Sequence, residues 1–152
     1  MSSSALQATT LRILLIDDDP DHVLLIRRAL RDLGNERDVE SLSDGEEALA
    51  WLDVAPEPPD LILLDINMPG LSGFEVLSRL RADERHKRVP VVMLTSSDAQ
   101  ADIARAYELG ASGYIAKPSH YQDLRAVLGN TVLYWSAMRR FAGPEQETGE
   151  CT

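Results

Sequence analysis

Three aspartates in a row, Asp17, Asp18 and Asp19, close the apolar run 11–16 (LRILLI), and a single carboxylate, Asp65, closes the run 61–64 (LILL). Thr95 ends a third run, 89–95 (VPVVMLT), and Lys117 follows a fourth, the short 113–116 (GYIA). Residues that follow parallel strands gather on one rim of a sheet, where α/β folds place their chemistry. Three carboxylates within about 5 Å of one another repel by roughly 3 kcal/mol per pair at an effective dielectric of about 20, so a cation must offset them. Oxygen-only donors point to a hard divalent ion, Mg²⁺, because no histidine or cysteine pattern suits zinc. Mg²⁺ commonly joins one or two carboxylates to a phosphate oxygen, which implies a phosphate-like anion beside it. A carboxylate in that setting can attack phosphorus, with Lys117 and the Thr95 hydroxyl meeting the added oxygens.

The elements that must hold these side chains alternate along the chain. All-apolar runs bounded by turn residues fit strands buried on both faces of a parallel sheet. They are predicted at 11–16, more weakly at 37–42, then at 61–64, 89–95 and 113–116. Between them lie helical patterns. Pro20 opens one that carries Val23, Ile26, Ala29 and Leu30 at helical spacing before Gly34 stops it. Others are predicted over 46–54 behind a turn at Ser43 to Gly45, over 74–80 after the turn residues Asn67, Pro69, Gly70 and Gly73, and behind caps at 96–98 until Gly110. A last helical stretch begins near Ser119, and the charged segment 82–88 (ADERHKR) reads as a solvated loop. Five alternations give a parallel sheet with right-handed crossovers and helices on both faces.

Composition limits the function classes. The 152 residues suit one domain with a substantial core, and a formal net charge of -10, from 25 acidic and 15 basic side chains, repels nucleic acid and anionic membrane. The one cysteine, Cys151, lies in a polar tail and fits a reducing cytoplasm. No apolar run approaches a membrane span, and 1–10 has no signal-peptide character. The expected organisation is a disordered leader over 1–10, a domain over 11–128, a helical extension over 129–141 and a disordered tail over 142–152.

Four motifs together, IDDD at 16–19, LILLDINMPGLSG at 61–73, VVMLTSSDA at 91–99 and GASGYIAKP at 110–118, resemble the receiver domains of two-component response regulators, the family of the chemotaxis response regulator. The resemblance covers roughly 11–128. It implies a flavodoxin-like three-layer sandwich with a five-stranded parallel sheet of order 2-1-3-4-5. It implies that Asp65 is the phosphoacceptor, that Asp18 holds Mg²⁺ directly and Asp17 through water, and that Asp65 and the Asn67 backbone carbonyl complete the metal site. Thr95 would be the switch hydroxyl, Tyr114 the aromatic that follows it and Lys117 the phosphate contact, with a cis peptide between Lys117 and Pro118. Asn67 and Ser97 occupy the positions that tune phosphoryl lifetime. Ser97 lacks a carboxylate or amide to orient water, so the lifetime is expected to be no shorter than where such residues stand.

On this reading the protein takes its phosphoryl group from a sensor histidine kinase and signals by protein contacts. It would be no enzyme beyond self-phosphorylation and slow autodephosphorylation. An alternative is a phosphorelay intermediate that passes the group to a histidine phosphotransfer protein. A Mg²⁺-dependent aspartyl phosphatase fits less well, because Asn67 stands where a general acid is needed, and a dinucleotide-binding domain lacks GxGxxG after the first strand. His22, His86 and His120 lie in polar surroundings and read as surface residues away from the acidic rim. Leu133, Tyr134, Trp135, Met138 and Phe141 run past the point where a fifth helix could rest on the sheet. An unhoused apolar set of that kind is a candidate interface. With AYELGA at 106–111, it resembles the small stand-alone receivers paired with bacterial phytochrome kinases, which implies a homodimer through the C-terminal helix and a bacteriophytochrome kinase partner.

Overall fold

The computed structural model describes residues 11–35 and 38–151, with side chains as far as Met138. Strands β1 (Ile13–Ile16), β2 (Val39–Leu42), β3 (Leu61–Leu64), β4 (Val91–Thr95) and β5 (Gly113–Ala116) alternate with helices α1 (Pro20–Asp32), α2 (Gly45–Val54), α3 (Gly73–Ala82), α4 (Gln100–Glu108) and α5 (Tyr121–Cys151). The strands pair in the order β2-β1-β3-β4-β5, all parallel, as the resemblance implied. The order reverses beside β1, where β1 meets β3 with Ile16 opposite Leu64. That register sets Asp17 and Asp65 side by side at the C-terminal rim.

The period-2 alternation of a strand assigns each apolar residue to a face. Leu14, Ile16, Ile62, Leu64, Val91 and Met93 meet Ala48, Leu52, Phe74, Leu77 and Ala106 from α2, α3 and α4. Ile13, Leu15, Leu61, Leu63, Val92 and Leu94 meet Ile26, Ala29, Leu30, Leu124 and Leu128 from α1 and α5. That division is the one right-handed crossovers give in this strand order. β1, β3 and β4 are buried along their whole length, whereas the edge strand β5 is half-buried and ends exposed at Ala116.

Caps set the helix starts. Asp19, Asp44 and Ser72 accept first-turn N–H groups of α1, α2 and α3, and Ser72 forms a reciprocal capping box with Glu75. α4 departs from the expected caps at 96–98. Its N-cap is Ala99, without a side-chain cap bond. The Ser97 hydroxyl is used otherwise: it accepts the Ala99 N–H at 3.2 Å and donates to Asp102 at 2.6 Å.

Helix α5 passes through Gly129 and Asn130 without a break. Leu33, the C-cap of α1, explains why: a Cβ at Gly129 would stand 3.3 Å from a Leu33 methyl, so the glycine lets the two helices approach. Their seam is also tied by the Tyr121 hydroxyl donating to Asp32 at 2.6 Å and by Arg28 lying 4.7 Å over the Tyr121 ring. Trp135 turns back onto the domain and packs half-buried against the α1–α5 side of the core. Leu133, Tyr134 and Met138 remain exposed, with Tyr134 edge-on to Trp135 at 4.7 Å. α5 continues as far as Cys151, into the segment expected as a disordered tail, while the leader 1–10, Arg37 of the expected second strand and Thr152 lie outside the described residues. Among the described residues no helix is long and apolar enough to cross a membrane.

Candidate functional site

Asp65 is placed by its own strand and by the close approach of α3. Its N–H donates to the Ile16 carbonyl at 3.0 Å, which extends the β1–β3 ladder by one residue. The chain then turns through Gly70, at φ +76°, a conformation that glycine adopts without strain. Gly73 comes back against the main chain it has just left: its N–H donates to the Ile66 carbonyl at 2.9 Å, and a Cβ there would lie 2.2 Å from the Asp65 carbonyl oxygen. The carboxylate therefore stands on a segment clamped between β1 and the first turn of α3.

Asp17, Asp18 and Asp65 each bring a carboxylate oxygen within 4.8 Å of the others. The expected convergence at the rim is thus present in the geometry. Asp17 is 1% exposed and Asp65 7%, so both charges are largely withdrawn from water. The Lys117 ammonium sits between them, 2.6 Å from Asp17 Oδ2 and 3.7 Å from Asp65 Oδ2. Burial raises the Asp17 carboxyl above its ordinary range, and its bonds to Lys117 and to the Asp19 N–H pull the other way. The balance is upward, because the neighbouring Asp65 carboxylate adds to the effect of burial.

Thr95, at the end of β4, is fully buried, and its backbone carbonyl accepts the Lys117 N–H at 2.7 Å. Tyr114, on β5, reaches under the β4–α4 loop and donates its hydroxyl to the Ser97 carbonyl at 2.9 Å. Burial pushes that phenol above its ordinary range. Asn67 is exposed and lines an open pocket of about 490 Å³ together with Asp18, Asp65 and Ser96. Ser96, expected only as part of a helix cap, lines this pocket, while the Ser97 hydroxyl is turned to Asp102. A pocket of about 550 Å³ lined by Trp51, Val54 and Pro59 lies at the other ends of the strands and has no part in this site.

Three expectations need correction. His22 does share the acidic rim: it lines the same pocket, with Nδ1 2.7 Å from the Lys117 ammonium. It stands one helical turn beyond Asp18 and Asp19, and α1 begins at the rim, so its face of the first turn points into the site. His86 is no surface residue: it is 2% exposed within the segment expected to be a solvated loop, with Nδ1 3.1 Å from Asp83. That segment folds back onto the α2 end, where Arg85 donates to the Leu52 and Ala55 carbonyls. His120 is exposed, as expected. No peptide bond among the described residues is cis, so the Lys117–Pro118 bond is trans, the isomer that X-Pro bonds favour by about 0.5–1 kcal/mol.

The donor set fits a hard divalent cation. All three convergent side chains offer carboxylate oxygen, and Asp65 Oδ1 is buried without a hydrogen-bond partner. Residues 13–129 match the response regulator receiver domain family. The chain is 37% identical over 136 residues to the probable methanogenesis regulatory protein FilR2 of Methanothrix harundinacea, covering 87% of this chain and 88% of that one. It is 33% identical to the response regulator Rcp1 of Synechocystis over 81% of this chain and 87% of that one. The solved Mn²⁺-bound form of Rcp1 superposes with a TM-score of 0.71, covering 81% of this chain and 92% of the other. The phosphorylated cyanobacterial phytochrome response regulator RcpA superposes with a TM-score of 0.77 at 34% identity, over 83% of this chain and 94% of the other. By strand order, site geometry and sequence alike, the chain belongs to the receiver domain family of two-component response regulators.

Proposed function

We propose that this receiver accepts a phosphoryl group on Asp65 from a phosphohistidine of a sensor kinase and signals through the contacts that the new charge alters. The observation that supports this most is the state of the Asp65 carboxylate: Oδ1 is withdrawn from solvent with no partner, and the Lys117 ammonium stands 3.7 Å from Oδ2. In the transfer, Oδ1 attacks phosphorus and the P–N bond of the donor breaks. The electron pair returns to the donor imidazole, which takes up a proton. Lys117 donates to the transferred oxygens, and Thr95, buried at the neighbouring strand end, offers its hydroxyl to the same group. Asp17, Asp18 and Asp65 with the Asn67 carbonyl would hold the divalent ion, which we assign as Mg²⁺ and which when bound neutralises charge on the phosphoryl oxygens.

Readout runs through residues already in contact with one another. A Thr95 hydroxyl drawn to the phosphoryl group changes the space beside the β4–α4 loop, to which Tyr114 is tied through Ser97. Turnover of free phosphomonoesters is not expected, since Asn67 offers no acid two residues beyond Asp65. The likeness to RcpA supports a kinase of the phytochrome class as donor, in the cytoplasm. The exposed Leu133, Tyr134 and Met138 of α5 support a homodimer.

Incubation with acetyl phosphate and Mg²⁺ tests the central claim. Intact-mass measurement should show a single base-labile phosphoryl adduct on the wild type and none on Asp65→Asn. No adduct on the wild type, or an equal one on the variant, defeats the assignment.

A further inference from the structure

His22 lies outside the set of residues that carry the phosphoryl reading, yet it makes one of the two shortest contacts of the site's cation. An ammonium has three N–H donors and no acceptor. Lys117 spends one on Asp17 Oδ2 at 2.6 Å and one on His22 Nδ1 at 2.7 Å. The third is uncommitted among the described residues, and Asp65 Oδ2 lies 3.7 Å away, beyond hydrogen-bond reach. Two fixed acceptors on separate elements, the end of β1 and the first turn of α1, thus hold the ammonium over the carboxylate without letting it close on it.

The same contact fixes the state of the imidazole. Because Lys117 can only donate, Nδ1 must carry a bare lone pair, and a ring protonated there would set two cationic N–H groups head to head at 2.7 Å. The ring proton is then on Nε2, on the side of Asp19, whose Oδ2 lies 3.4 Å away without forming a hydrogen bond. Asp19 is itself held, because its Oδ1 caps α1 by accepting the Asp21 N–H at 2.9 Å. The imidazole thus stands between the capping carboxylate of α1 and the ammonium, and only its contact with the ammonium is a hydrogen bond.

Resting on the reading of Asp65 as phosphoacceptor, we propose that His22 is a positioning residue for phosphoryl transfer: as a neutral Nε2–H tautomer it holds the Lys117 ammonium where a transferred phosphoryl oxygen meets the remaining N–H. Without that acceptor, the flexible lysine stem lets the ammonium close onto Asp65 Oδ2, and the N–H that would meet the phosphoryl oxygen is spent on the carboxylate.

Phosphorylation by acetyl phosphate at saturating Mg²⁺, followed by intact mass, reads the effect. His22→Leu should slow adduct formation about tenfold, the scale of one charge-assisted hydrogen bond that acts in the transition state. His22→Asn, which carries an acceptor oxygen on a short stem, should recover most of the rate, and a purely structural role would not separate these two variants by acceptor chemistry. Long-range ¹H–¹⁵N spectra of the wild type, which need no variant to fold, should show Nε2 protonated and Nδ1 unprotonated, with the Nδ1 signal moving in Lys117→Met. An Asp65-dependent adduct that forms at the wild-type rate in His22→Leu overturns the proposal alone, as does a protonated Nδ1. An adduct that persists in Asp65→Asn overturns the underlying reading and this proposal with it.

Discussion

Asp19 divides one carboxylate between two tasks, capping α1 with Oδ1 and facing His22 with Oδ2, while its neighbours Asp17 and Asp18 turn to the rim. By residue type the three aspartates are equivalent: only the resemblance set Asp17 and Asp18 apart as ligands, and the first helical turn makes Asp19 the cap. For the same reason His22 was not legible: its position beside the ammonium depends on which way Lys117, just past the end of β5, reaches across the sheet. The placement of Asp65, Thr95 and Lys117 at one rim was legible, because each ends or directly follows a strand and strand ends share a rim. Ser97 illustrates the limit from the other side. Its type was readable, but its hydroxyl bond to Asp102 at 2.6 Å was not. With that hydroxyl committed, Ser97→Ala should leave the phosphoryl lifetime, followed by loss of the mass adduct, within about threefold of wild type, a barrier change well below one hydrogen bond. The variant should lose about 1 kcal/mol of stability in urea denaturation as Asp102 gives up its partner. A much longer lifetime in Ser97→Ala would mean that the hydroxyl does reach the site.

The segment between β3 and α3 acts as one clamped unit, and Gly73 is its closest point. A methyl group at Gly73 would meet the Asp65 carbonyl oxygen at 2.2 Å and the Ile66 Cα at 2.8 Å, both main-chain atoms that cannot swing aside. Gly73→Ala should therefore cost about 1–3 kcal/mol in denaturant unfolding and weaken divalent-ion binding in a calorimetric titration, because the backbone under Asp65 must move. Stability and ion affinity both equal to wild type would show that the turn yields elsewhere. The strands and the faces they serve were readable element by element, since runs such as 61–64 can be buried only on both sides at once. The continuity of α5 was not. By residue type Gly129 and Asn130 fit either a helix end or the interior of one helix, and it is the partner surface at Leu33 that makes the glycine a packing residue. His86 was misread for a related reason: a polar segment can be folded inward by what lies under it, here the carbonyls at the end of α2 that Arg85 binds.

At the scale of the molecule, whose net charge is -10, α5 presents an apolar strip formed by Leu133, Tyr134 and Met138. If that strip pairs two copies, light scattering should give the wild type twice the mass of Tyr134→Glu, a substitution that leaves the single chain folded because Tyr134 is 55% exposed in it. A wild-type monomer removes the dimer. Trp135→Ala is the poorer probe, since Trp135 packs against the domain and its loss would disturb folding as well as association. The sheet carries one more consequence. The carboxylates hang from β1 and β3, each flanked by strands on both sides and buried throughout, whereas Lys117 hangs from β5, half-buried with a neighbour only on the β4 side. Local opening costs least at such margins. The anions of the site are therefore fixed to its most durable part and their counter-charge to its most yielding part, so the balance of charge can fluctuate on a margin that opens without unseating the nucleophile.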